Sequence, residues 1–213
     1  MAAAGASGGA APTLAFTGND QEGTDATSFS FTFSFGAASA TRYLVVAINA
    51  GNRSQSATTV TAGGVACSEL VEINVTNDKS SSIWITDSPV TTNGTQTVTV
   101  DYGANQNRIG VGLYELDNIN PTPTSTNSST ASPSALNLSV NAGDIVIAGC
   151  TRANATTIAW VGVDDAVYGY DASAGDTGGG YSGGADICDT TETRTISATG
   201  TPQRATSAVF GPA

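Results

Sequence analysis

A chain of 213 residues with 39% hydrophobic and only 12% charged residues is too apolar and too weakly charged for disorder, and long enough for one sizeable β domain or two small ones. Its 18 acidic against 7 basic residues make a surface that repels phosphate backbones, which argues against a nucleic-acid partner. Histidine is absent, and with it the commonest general base and every Ser-His-Asp or Cys-His arrangement.

Residues 1–20 read as a flexible N-terminal arm, because Ala, Gly and Ser dominate and no apolar period is present, leaving 21–213 as one domain. An arm of that kind has too little apolar surface to offset its own ordering entropy, so it is expected to become fixed only against a neighbouring subunit. Met1 to Pro12 carries neither a basic segment nor an apolar stretch of the length an export signal needs, and no window suits a membrane span. A lysine-poor, Thr/Ser/Asn-rich body without such a signal suits a virion surface or an extracellular setting reached by cell lysis.

Beyond the arm, Ser28 to Phe35 alternates hydroxyl and phenylalanine without error, and a period of two places all four rings on one face of a strand. Tyr43 to Ile48 is a continuous apolar run suited to a central strand. Thr58 to Thr61 and Val65 to Cys67 flank a Gly63-Gly64 turn, and Asn93-Gly94 is a turn signal ahead of Gln96 to Tyr102. Ile83 to Ile85 and Ile109 to Leu116 complete a first half, about 27–119, with Trp84 expected in the core. The Pro/Ser/Thr connection 120–134, containing PTPTSTNSSTASPS, reads as an extended surface segment.

A second half, 135–213, repeats the texture: Leu136 and Leu138 alternate, Ile145 to Ala148 is apolar, and Ile158 to Val161, Thr193 to Ile196 and Ser207 to Phe210 follow. Leu44 to Ala47 matches Ile145 to Ala148 at an offset of 101. Thr97 to Val100 matches Thr193 to Ile196, and Arg108 with Leu113-Tyr114 matches Arg204 with Val209-Phe210, both at 96. The expected fold is therefore all-β, an antiparallel β-sandwich of jelly-roll type built from two similar halves, with one fused core favoured over two small sandwiches because it buries more surface per residue.

Gly169 to Gly184 reads as a Gly/Asp/Tyr-rich loop. In it Tyr168, Tyr170 and Tyr181, beside Asp171 and Asp176, combine aromatic platforms with carboxylates and suit a sugar ring; capping the core or meeting a subunit is the competing role. Asp164, Asp165, Asp171, Asp176, Asp186 and Asp189 could supply oxygens to calcium, against a plain solvated surface, though no EF-hand or nonapeptide spacing is present. Glu69, Glu72 and Glu115 are the only strand carboxylates for glycoside hydrolysis, and surface charge accounts for them better. The cysteines Cys67, Cys150 and Cys188 form no CxxC motif: either all three are small buried apolar residues, or Cys150 and Cys188 form a disulfide.

The strand YLVVAI at 43–48, the turn and strand GGVACSEL at 63–70, TNGTQTVTV at 92–100 and the closing RATSAVFGPA at 204–213 together resemble the jelly-roll surface proteins of tailed-phage virions, capsid decoration or tail- and fibre-associated. The resemblance covers most of 27–213 and rests on texture and strand order. It implies a non-enzymatic structural protein of a surface assembly, with copies of itself or other particle subunits as partners and no catalytic residue. A carbohydrate-binding or adhesin module, with glycans as partners, and a self-assembling extracellular protein of cellular origin are the alternatives.

Overall fold

A computed structural model of the chain describes residues 10–51, 55–74, 79–131, 134–152, 159–163, 166–171, 180–198 and 202–213. The described residues are all-β, in sixteen strands paired antiparallel throughout. The first eight are β1 (Thr13–Glu22), β2 (Ala26–Phe35), β3 (Tyr43–Gly51), β4 (Ala57–Ala62), β5 (Val65–Asn74), β6 (Ser80–Thr86), β7 (Gly94–Gln106) and β8 (Arg108–Asp117). The second eight are β9 (Ser125–Ser129), β10 (Ser134–Val140), β11 (Ile145–Arg152), β12 (Trp160–Val161), β13 (Ala166–Asp171), β14 (Gly180–Ile187), β15 (Glu192–Ala198) and β16 (Pro202–Phe210).

In the first half the hydrogen-bonded order is β1-β8-β3-β6-β5 on one side and β4-β7-β2 on the other, joined through the short β4-β5 hairpin. That is the strand order of an eight-stranded jelly roll. Gly63 and Gly64 make the joining turn at φ of +58° and +81°, and a Cβ on Gly63 would lie 2.8 Å from the Phe35 ring, so glycine is required there. In the second half the orders are β9-β16-β11-β14-β13 and β10-β15-β12. Adding eight to each strand number of the first half reproduces the second. The chain is two jelly rolls of one topology in tandem.

Four layers enclose three cores rather than the single shared core expected from the sequence. The first roll fills its interior with Phe29, Phe31, Phe33 and Phe35 of β2, Val98 and Val100 of β7, and Leu44, Val46, Ile48, Trp84, Val111 and Leu113 from the facing sheet. The second roll encloses Leu136, Leu138, Val140, Val146, Ala148, Ile196 and Val209. Between the rolls, the backs of their larger sheets meet through Val45, Ala47, Ile83, Ile85, Tyr114 and Leu116 against Ile145, Ile147, Ala185, Ala208 and Phe210. β3, β8 and β11 are thus covered on both faces, which is why their sequences are continuous apolar runs. A polar weld interrupts this seam: the buried Ser81 hydroxyl lies 2.8 Å from both Asn49 Oδ1 and Thr206 Oγ1, and 3.3 Å from Gly149 O.

Three boundaries differ from the sequence reading. Residues 13–20 are not an arm but most of β1, paired with β8 from Thr13↔Asp117 to Glu22↔Ile109, because Leu14 and Phe16 alternate onto the seam while Thr, Asn and Asp face outward. The connection 120–134 contains β9, an edge strand on β16 whose Ser/Thr/Asn side chains have no core to fill. The segment 169–184 is not all loop, since its ends belong to β13 and β14.

The repeat offset also changes for β3. Val45 pairs with Tyr114 and Ile145 with Phe210, so β3 and β11 correspond at 100 rather than 101, whereas 96 holds for β8 and β16. An offset of 101 would match Val45, which faces the seam, with Val146, which faces its own core. A one-residue slip exchanges the two faces of a strand.

Candidate functional site

The tyrosines singled out from the sequence belong to two paired strands. Tyr168, Tyr170 and Asp171 lie on the edge strand β13, with Tyr170 opposite Tyr181 of β14, and Asp176 is outside the described residues. Tyr181 is 1% exposed, and a Cβ on Gly51 of the first roll would come 2.9 Å from its hydroxyl. Burial drives its pKa far above the ordinary tyrosine value, and Arg108 draws it back only partly. A ring held in this way seals the seam and is no platform for a ligand.

The strand carboxylates Glu69, Glu72 and Glu115 lie on β5 and β8 of the first roll. Glu115 is buried and accepts hydrogen bonds from Arg42 Nη1 at 2.7 Å, Thr17 Oγ1 at 2.9 Å and Gly36 N at 2.9 Å, a structural tie. Glu72 accepts from Ser56 at 2.8 Å, and burial followed by the charge of Glu72 raises the pKa of Glu69. Among the described residues no three His, Cys, Asp or Glu side chains are grouped to hold a metal.

No disulfide joins Cys150 and Cys188, which corrects that alternative. Cys150 stands opposite Ser182, six positions up β14 from Cys188, a separation of about 20 Å at about 3.4 Å per residue, far beyond the reach of a bridge. Both are buried in the second core, and burial pushes the Cys188 thiol up to about 11 and the Cys67 thiol up to about 12.

Among the described residues, Gly162, Asp186, Asp189, Glu192 and Arg194 line a cleft of about 330 Å³ in the second roll. β12, β14 and β15 position it. Trp160 Nε1 donates to Ser182 Oγ at 2.8 Å, and Gly184 allows β14 to pass so close beneath β12 that a Cβ there would lie 2.7 Å from Val163 Cγ2. On the cleft floor Arg194 Nη1 forms an ion pair with Asp186 Oδ2 and reaches Gly162 O at 3.4 Å, while Nε donates to Glu192 Oε1 at 3.0 Å. Burial alone would lower the Arg194 pKa, yet the Glu192 and Asp186 contacts hold it above its ordinary value, so the guanidinium stays charged. The Arg194 and Asp186 side chains are 15% and 10% exposed, against 45% for Glu192 on the rim.

The first roll closes the same corner with apolar side chains. Val45 pairs with Ile85 and Ile145 with Ile187, which makes Asp186 the counterpart of Trp84. With β7 and β15 offset by 96, Arg194 replaces Val98, and Gly162, beside Ile196, stands where Val60 pairs with Val100. Of the acidic residues noted in the sequence, Asp186 and Asp189 reach this cleft; Asp164 and Asp165 lie outside the described residues. Glu192, Arg194 and Gly162 were not singled out, although matching Thr193-Arg194-Thr195-Ile196 to Thr97-Val98-Thr99-Val100 already set a charge against a core valine. No protein-family model, curated protein or solved structure matches the chain.

Proposed function

We propose that the chain, a tandem pair of jelly rolls, is a non-enzymatic structural protein of a surface assembly, of the capsid-decoration or appendage type on a phage particle. The observation that carries this reading is the seam: two rolls fastened back to back through an apolar layer and a buried polar weld form a rigid four-layer block. Its charge is arranged for the outside of a particle. Among the described residues, Arg42, Lys79, Arg108 and Arg204 are buried and Arg194 is confined to the cleft, so these five basic groups are turned inward in a chain of net charge −11. An acidic exterior keeps copies soluble and apart from nucleic acid.

Particles released from the producing cells, purified through a density gradient and analysed by mass spectrometry, test this directly. The chain should sediment with the particles at a fixed copy number and survive a high-salt wash. Recovery only as free protein would reject the assembly role.

A further inference from the structure

The two rolls are each other's control. They share strand order and pairing, yet at one corner Val60, Trp84 and Val98 of the first correspond to Gly162, Asp186 and Arg194 of the second. The first set completes a core. The second removes that packing, opens a cleft of about 330 Å³ and sets a largely buried ion pair on its floor. Partial burial of charge is unfavourable compared with apolar packing of similar volume, so nothing in the stability of the fold calls for this exchange. Departures of this kind from local packing rules collect at functional sites.

From this contrast we infer that the cleft between β12, β14 and β15 is a binding site for a neutral, hydroxyl-rich ligand, a saccharide. The inference goes beyond the assembly role and holds whether or not the chain sits on a particle. The chemistry follows from which groups are committed. Arg194 uses Nε on Glu192 and Nη1 on Asp186 and Gly162 O, which leaves the two N–H groups of Nη2 as donors. Asp189, exposed at the mouth, and the second oxygen of Glu192 are acceptors. A ligand therefore has to accept at the floor and donate at the rim within one small space. Vicinal hydroxyls do both, each being donor and acceptor at once. An anion would face three carboxylates for one guanidinium, and a cation would find the floor already held by Arg194.

The test is an NMR titration of the ¹⁵N-labelled full chain with methyl glycosides of glucose, galactose and mannose, with propylguanidinium chloride and sodium methyl phosphate as charged probes. At least one glycoside should give saturable shifts at the Gly162, Asp189 and Glu192 amides, with a Kd on the order of 1 mM. Asp189→Asn and Glu192→Gln, both at the exposed rim, should each weaken that binding about tenfold while leaving the amide spectrum away from the cleft unchanged, as expected for a lost hydrogen bond to a charged group. Absence of saturable shifts with every glycoside would overturn the inference. So would propylguanidinium or methyl phosphate moving these amides in place of a sugar, or rim variants that bind as well as the parent.

Discussion

Arg42→Met removes one member of the buried pair with Glu115, and its cost can be worked from the surroundings. The two side chains are 1% and 9% exposed. Arg42 also donates through Nε to Val90 O at 3.1 Å, through Nη1 to Gly36 O and Ala37 O at 3.1 Å, and through Nη2 to Thr92 O. Leaving a buried charge uncompensated costs about 3–5 kcal/mol, and orphaned carbonyls push the value to the upper end. In urea, with a slope of about 3 kcal/mol per M, a loss of about 4.5 kcal/mol lowers the unfolding midpoint by about 1.5 M. Arg42→Met with Glu115→Leu removes both charges and should regain at least half of that loss, a coupling that two unlinked sites would not display. A single variant whose midpoint stays within about 0.3 M of the parent, or a double variant that loses the sum of the singles, would refute the reasoning.

Gly63→Ala and Gly64→Ala share a left-handed backbone penalty of about 1–2 kcal/mol, but only at Gly63 does the new methyl meet Phe35 and Val90, at 2.8 and 2.9 Å. Thermal melts should therefore rank Gly63→Ala clearly below Gly64→Ala, and equal melting temperatures would contradict the packing around the hairpin. Glu69 has its pKa raised in the folded state, so its ionisation opposes folding at neutral pH and ceases to do so once pH falls below the ordinary glutamate range. Glu69→Gln should accordingly stabilise slightly at pH 7 and make no difference near pH 3, as read from urea midpoints at the two pH values. Thiol titration without reductant should find Cys67, Cys150 and Cys188 slow to react in the native chain and all three reactive in denaturant; a single reactive thiol after unfolding would reveal a bridge.

The sequence disclosed those strands whose side chains sort cleanly between water and core. The four phenylalanines of β2 announce their face, and β3 and β11 read as central because the seam covers their second side. β1 was lost in its Ala/Gly/Ser surroundings, although Thr13-Leu14-Ala15-Phe16-Thr17 carries the alternation that docks it. β9 offers nothing to periodicity, since an edge strand of Ser, Thr and Asn is recognised by its partner β16 alone. The cleft was hidden for a different reason. Gly162 lies about thirty residues from Arg194, and the significance of either appears only when the first roll supplies the valines and tryptophan against which to compare them.

The seam also sets a schedule for biosynthesis. The first roll is complete once Asp117 has been made, but the strands that cover its back run as far as Phe210, roughly 90 residues later. At about 5–20 residues per second the ribosome needs on the order of ten seconds to deliver them. Throughout that interval a finished sheet presents Val45, Ala47, Ile83, Ile85, Tyr114 and Leu116 to solvent, a broad apolar face able to capture the same face on a nascent chain from a neighbouring ribosome. Two such chains would bury their first rolls against each other and leave both second rolls without a seat. Production yield should therefore depend on how closely ribosomes follow one another along the message, and slower initiation should favour chains whose two rolls are correctly paired.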